Sequence, residues 1–331
     1  MLKVALVGLG WWGKVMLPLL KTSSKLQVVK AIDANPAAAD FAGQHGVAFD
    51  THFEAALDDP AVQGVILCTP HTTHADQIVR AANAKKHVFC EKPLCMNRAD
   101  VLRAVAAVNA NKVALAVGHE RRFEPPVIEA YRIAQSGEIG TLLQIEANFS
   151  QDKFLGMAPD NWRMSLKEAP AGPMTATGIH LLDLSVGLLG PADRVLASVK
   201  QLGSGLTNGD TLGALVMFRS GANAMISAIL ATPFDGRFAV YGNQGWVEVR
   251  DKAHPEKPEG WTLTRHLRGG RRETVEYPVA QPVLANLEAF ADAAEGRAPY
   301  PVPQEQMVAN VSALEAIFKS AASGEIVKVE G

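Results

Sequence analysis

Three places in this 331-residue chain carry side chains suited to holding an anion or moving a proton. The first is Gly8-Leu9-Gly10-Trp11-Trp12-Gly13, a G-x-G-x-x-G spacing behind the apolar run Lys3-Val4-Ala5-Leu6-Val7. Glycine at 8 permits a tight turn, at 10 it lets main chain approach a pyrophosphate, and at 13 it lets a helix pack on a strand. Val15, Met16, Leu19 and Leu20 continue as an apolar-periodic helix. Its N-terminus offers unpaired N–H groups and a positive dipole end to phosphates. About 20 residues on, Asp33 ends the run Leu26–Ile32, where a carboxylate can hold the hydroxyls of an adenosine ribose. The competing reading of Asp33 is a cap for a helix starting near Pro36. Ala34, Asn35 and Pro36 supply no Arg for a 2′-phosphate, so NAD is the expected cofactor, with NADP kept open. Trp11 and Trp12 occupy the loop's free positions, covering the dinucleotide or serving as packing anchors.

The second place is Glu91-Lys92-Pro93, behind the run His87-Val88-Phe89-Cys90. A lysine, with an ordinary pKa of about 10.4, acts as a base near neutrality only where burial or a neighbouring positive charge disfavours its ammonium form. The third is Ala171-Gly172-Pro173-Met174-Thr175-Ala176-Thr177-Gly178-Ile179-His180-Leu181-Leu182-Asp183, running on to a C-cap at Gly190. His180 and Asp183 are three apart and share one helix face. Read from the residues alone, His180 is a satisfied histidine in an otherwise apolar helix. His71 and His74 have the spacing of a ligand pair, but no Cys or acidic companion completes a ligand set nearby. No metal is expected, and His74 is assigned to the cofactor pocket.

The elements that must position these residues alternate. Strand-like runs at 64–68, 87–90 and 113–117 are separated by helical stretches, one of them 99–110, and a capping box at Thr51-x-x-Glu54 opens a short helix. The pattern predicts an α/β fold that begins with a doubly wound parallel sheet, the Rossmann arrangement. Ligands of such sheets bind at the carboxyl ends of the strands, where Gly8–Gly13, Asp33, Thr69-Pro70-His71, His74 and Glu91–Pro93 would all lie. After a helix over 126–135, the runs 143–149, 194–201, 211–218, 224–230, 238–241 and 246–249 with Gly-rich turns predict an antiparallel meander. Residues 251–260 read as a plain polar loop, and two helices, 282–295 and 303–322, close the chain.

Gly8-x-Gly10-x-x-Gly13, Cys68-Thr69-Pro70-x-x-x-His74 and above all Glu91-Lys92-Pro93 resemble the Gfo/Idh/MocA oxidoreductases, which include glucose–fructose oxidoreductase and inositol dehydrogenase. The resemblance extends over essentially the whole chain, since Gly178-x-His180-x-x-Asp183 matches the place of the family's catalytic histidine. It implies a dinucleotide-binding domain at 1–121 and a C-terminal α+β domain at 122–331 with a large, mainly antiparallel open sheet. The last helix, about 303–323, would pack back on the first domain. It implies Lys92 as acid/base, His180 as its partner or the substrate-orienting donor, and Asp183 fixing the imidazole or a sugar hydroxyl. Trp162-Arg163 resembles a family pair near the cofactor, and the open sheet face is implied to build a homodimer or homotetramer. Two departures stand out: Ala176 replaces an Asp that many relatives carry four residues before the histidine, and Glu120 replaces a usual Asn.

With 32 Lys+Arg against 34 Asp+Glu the net charge is −2, which argues against a nucleic-acid partner. No apolar stretch reaches membrane-spanning length, and the glycine spacing favours a retained first strand over a secretory segment. Cys68, Cys90 and Cys95 form no C-x-x-C or even framework, which fits a reducing cytoplasm. The expected activity is an NAD(P)-dependent oxidoreductase acting on a sugar, polyol or related small molecule. The alternatives are a nicotinamide-binding sensor without turnover, favoured by Ala176, and a redox-neutral or non-sugar enzyme of the same family.

Overall fold

Six short strands rich in Val, Leu and Ile make the first sheet: β1 (Leu2–Val7), β2 (Leu26–Ile32), β3 (Ala48–Asp50), β4 (Gly64–Leu67), β5 (His87–Cys90) and β6 (Leu115–Val117). All pair in parallel, in the order β3-β2-β1-β4-β5-β6. Between them run α1 (Trp11–Leu20), α2 (Ala39–Gln44), α3 (Glu54–Leu57), α4 (His74–Asn83) and α5 (Arg98–Asn111). β4 is buried at every position and β1 at all but Lys3, as expected of parallel strands covered on both faces. The computed structural model describes every residue except Pro159 and Glu256.

The second unit opens with α6 (Pro125–Gln135) and β7 (Leu142–Ser150), followed by α7 (Ile179–Leu189). Then come β8 (Ala192–Lys200), β9 (Thr211–Phe218), β10 (Asn223–Ile229), β11 (Asp235–Gly242), β12 (Gly245–Asp251), β13 (Trp261–Leu267) and β14 (Arg272–Tyr277). The chain ends with α8 (Pro282–Ala294), α9 (Gln304–Ser323) and β15 (Val327–Lys328). The sheet order is β14-β13-β12-β11-β7-β10-β9-β8-β15. The expected meander is corrected here: β7 inserts between β10 and β11 and pairs with β10 in parallel, so the sheet is mixed. One face, carrying Ile145, Phe149, Val216, Ala224, Phe238 and Val247, shares a core with α6, α7 and α9.

The chain divides into 1–120 with 283–307, and 121–282 with 308–331. α8 and the first residues of α9 belong to the first unit. Leu287, Phe290 and Ala291 of α8 join the core of Leu2, Leu6, Ile66 and Phe89, with Phe290 edge-on to Phe89 at 5.9 Å. Asn286 Nδ2 also donates to the Val117 carbonyl at 2.9 Å, and the Tyr300 hydroxyl accepts the Val117 N–H at 3.3 Å. These bonds hold main-chain groups on the edge strand β6. In α9, Val311 is buried and Leu314 and Ile317 join the core of the second unit.

Asp210 organises the turn before β9. Its carboxylate accepts the N–H groups of Leu202 (3.0 Å) and Gly203 (2.9 Å) and the hydroxyls of Ser204 (2.7 Å) and Thr211 (2.9 Å). Burial alone would raise its pKa, but these donors outweigh burial and hold it at about 2. A carboxyl depressed in the folded state stabilises fully above its unfolded pKa of about 4, and that contribution is lost as pH falls toward 2. Asp210→Asn is expected to cost about 2 kcal/mol at neutral pH and to flatten the acid limb of stability. Denaturant titrations at neutral pH and at about pH 3 check both.

Candidate active site

The carboxyl ends of the parallel strands form one row, since Val7 pairs with Ile32 and Leu67, and Cys90 with Leu67 and Val117. Gly8, Asp33, Thr69, Glu91 and Gly118 therefore follow their strands along the same rim. The sheet order reverses between β1 and β4, and the glycine loop sits at that switch point. Gly8 has φ +93°, and a Cβ there would stand 2.7 Å from the Cys68 carbonyl oxygen. A Cβ on Gly13 would overlap the Gly8 carbonyl oxygen, whereas one on Gly10 would meet nothing within 4 Å. Gly10 thus keeps open the space over the α1 N-terminus. The helix's first bond runs from Lys14 N–H to Gly10 C=O, and its first turn has no acidic residue. The amides of 11–13 point out of that end. The cradle fits a pyrophosphate.

Asp33 is not a cap; Asn35 plays that part, its Oδ1 accepting Ala37 N–H. The Asp33 carboxylate instead accepts Leu9 N–H at 2.6 Å and Asn35 N–H at 2.8 Å, tying the end of β2 to the glycine loop. Trp11 is 43% exposed. Trp12 packs on the first unit's core, and its indole Nε1 is buried without an acceptor among the described residues.

His74 is fully buried, with Nδ1 2.7 Å from the Pro93 carbonyl and Nε2 3.0 Å from the Thr69 carbonyl. It braces two strand-end loops against each other. His71 is buried beside it, with ring centroids 5.9 Å apart. Among the described residues, no three His, Cys, Asp or Glu side chains gather as a metal-ligand set. Lys92 is half-buried; its N–H donates to Glu91 Oε2 at 3.2 Å, and its bond to Pro93 is cis. The Glu91 carboxylate lies over Gly118, where any Cβ would meet it at 2.6 Å.

The other candidates belong to the second unit. A π-helical turn, Met174–Gly178, leads into α7, which carries His180, buried and 6.1 Å from the Phe149 ring. Thr177 Oγ1 donates to the Phe149 carbonyl at 2.8 Å. The Asp183 carboxylate is buried and receives Arg122 Nε at 2.6 Å and Nη2 at 3.0 Å. Arg163 stacks on Trp162 at 4.3 Å, and Asn208 Nδ2 holds the Arg163 carbonyl at 2.7 Å.

Two residues packed on the Phe149 ring, which His180 also meets, are not singled out from the sequence. Arg121, fully buried, binds Asp251 at 2.7 Å and Glu124 at 3.2 Å, and lies over the Phe149 ring at 5.2 Å. His254 comes from the supposedly plain 251–260 loop and packs on Phe149 and Phe234. Its Nε2 donates to Gln151 Oε1 at 2.6 Å. Burial, then the positive charges of Lys153 and Arg121, push its pKa down to about 3, so it is neutral at physiological pH. The adjacent pair Arg121-Arg122 was the available clue, since two arginines in a row at a buried crossover require carboxylate partners.

Residues 2–119 match the family described as GFO/IDH/MocA oxidoreductases with an NAD-binding Rossmann fold, and 127–248 match the GFO/IDH/MocA C-terminal domain. The uncharacterized oxidoreductase YrbE of Bacillus subtilis is 30% identical over 273 residues, covering 75% of this chain and 76% of that protein. Inositol 2-dehydrogenase of Rhizobium meliloti is 29% identical over 272 residues, 76% of each chain. In fold, aldose-aldose oxidoreductase from Caulobacter crescentus superimposes with a TM-score of 0.87 at 24% identity over 99% of both chains. With both of its domains matched and the dinucleotide cradle in place, this chain belongs to the GFO/IDH/MocA family of oxidoreductases.

Proposed function

We propose that the protein is an NAD-dependent dehydrogenase or reductase that moves a hydride between the nicotinamide and a CH–OH or carbonyl carbon of a sugar, polyol or related molecule. The observation that carries this reading is the shared rim: the glycine cradle, Asp33 and Glu91-Lys92-Pro93 follow strands of one parallel sheet. The relatives' names, among them inositol 2-dehydrogenase and 1,5-anhydro-D-fructose reductase, support the substrate class. When bound, the dinucleotide supplies the hydride chemistry. The chain's own task is to orient the substrate carbon and move one proton. Lys92 takes the hydroxyl proton during oxidation and returns it during reduction, with His180 orienting the oxygen. The main-chain amides of the first turn of α1 take the pyrophosphate, and Asp33 takes the ribose hydroxyls. Thr69, Pro70 and Glu91 wall the pocket, while Trp162 and Arg163 serve the cofactor.

NADH formation from NAD+ with a panel of monosaccharides and polyols tests the reading. Substrate-dependent NADH is the expected result; tight NAD+ binding with no turnover across the panel would favour the sensor reading that Ala176 suggests. The Asp33 carboxylate repels a 2′-phosphate, so NAD is the proposed partner. Asp33→Asn keeps an acceptor for Leu9 N–H but removes the charge, and is expected to shift the NADP/NAD affinity ratio toward NADP by about tenfold, equivalent to about 1.4 kcal/mol. Titrating each dinucleotide against both proteins measures it.

The proposed setting is the cytoplasm, in keeping with three cysteines that make no C-x-x-C spacing. No helix among the described residues is long and apolar enough to cross a membrane. A homodimer or homotetramer is proposed through the outer face of the large sheet. There Leu196 and Met225 are exposed around a concavity of about 550 Å³ floored by Gly213 and Ser227.

A further inference from the structure

We infer that Arg122 is a positioning residue for His180, acting through Asp183; the inference rests on the dehydrogenase reading, in which His180 faces the substrate. α7 is apolar and buried nearly all round, at His180, Leu181, Leu182, Asp183, Leu184, Ser185, Val186 and Leu189. A helix buried on every side has no single apolar stripe to set its rotation. The π-helical turn at Met174–Gly178 also interrupts the α-register arriving from upstream. Polar contacts must then fix how α7 presents His180.

Arg122 supplies them from the loop before α6. Its Nε and Nη2 grip both carboxylate oxygens of Asp183, at 2.6 and 3.0 Å, and Nη2 also donates to the Asp183 carbonyl at 2.8 Å. A forked guanidinium bound to one residue's side chain and main chain fixes both axial rotation and depth. The guanidinium lies over the Tyr131 ring at 5.5 Å, and the Tyr131 hydroxyl donates to the Leu184 carbonyl at 2.7 Å. A Cβ at Gly187 would overlap both the guanidinium and that hydroxyl, so glycine there admits the clamp. Asp183 lies one turn beyond His180, close enough that a slip of the clamp moves the imidazole.

Buried ion pairs often add little net stability over apolar side chains of similar shape, whereas removing one partner leaves a costly lone charge. The test therefore compares Arg122→Met, Asp183→Leu, the double variant and Arg122→Lys, in the full-length protein. The readouts are Tm, kcat and KM with the best panel substrate, and the His180 ring signals by ¹H–¹⁵N NMR. Each single removal should lower Tm, and the double variant should recover most of the loss. Its kcat should nonetheless stay about 30- to 100-fold below wild type, with KM for NAD+ changed less than about threefold, and its His180 signals displaced. Arg122→Lys, which keeps charge without the fork, should retain about a tenth of kcat.

A double variant with recovered Tm, kcat within about threefold of wild type and unmoved His180 signals would overturn the clamp. If the double variant does not fold, Arg122→Lys decides by the same readouts. If the wild type turns over no substrate, the dehydrogenase reading fails. The His180 signals of the folded variants then decide the clamp alone: displaced supports it, unmoved overturns it.

Discussion

Lys92→Met is expected to lower turnover by about 10³-fold while leaving NAD+ affinity within about twofold of wild type. Methionine keeps an unbranched stem of similar length, so the half-buried position stays filled and only the proton-carrying group is lost. The Lys92 N–H is held by Glu91 Oε2 at 3.2 Å, and the Pro93 carbonyl by the buried His74 ring at 2.7 Å. The cradle that would take the pyrophosphate lies on a separate strand end. Steady-state rates and a dinucleotide titration on the two proteins check the prediction. Turnover that survives the substitution would remove Lys92 from the proton-transfer role.

Gly13→Ala and Gly10→Ala are expected to fail in opposite ways. At 13 the added methyl group runs into the Gly8 carbonyl. The loop must move, at a cost of about 3 kcal/mol, and binding of NAD+ should drop more than about 100-fold with it. At 10 the methyl group meets nothing and the backbone, with φ −65°, accepts any residue. Stability should therefore remain near wild type while affinity falls, about 10- to 100-fold, because the methyl group occupies the space for the pyrophosphate. Thermal melts and NAD+ titrations of both variants separate a broken loop from a blocked one. Equal melting temperatures for the two would contradict this account of the loop.

What was legible in the sequence is local. The glycine loop, Asp33 and the strand ends of the first sheet depend on residues within one strand–turn–helix unit, and spacing reports such units directly. Where a signal needed a partner far along the chain, spacing was silent. It gave the shared helix face of His180 and Asp183 but not Arg122, which lies 61 residues away from Asp183 and takes its carboxylate. Thr51-x-x-Glu54 has the form of a capping box. However, the Asp50 side chain accepts His52 N–H at 2.8 Å, and α3 begins only at Glu54 without a side-chain cap. β14 escaped notice because five of its six residues are exposed, leaving no apolar alternation to read. α8 and α9 are both apolar on one face, and pattern alone does not say which core each face meets; Phe290 against Phe89 settles it for α8.

The central claim is hydride transfer between a substrate carbon and nicotinamide, and isotope transfer tests it most directly. The protein would be incubated with NAD+ and carbon-deuterated polyols and sugars from the panel, and the recovered dinucleotide weighed by mass spectrometry. The account predicts deuterium in the reduced nicotinamide, one atom per oxidised substrate, and none with Lys92→Met. Product formed while the dinucleotide gains no deuterium, or a dinucleotide bound tightly but never reduced, would contradict it.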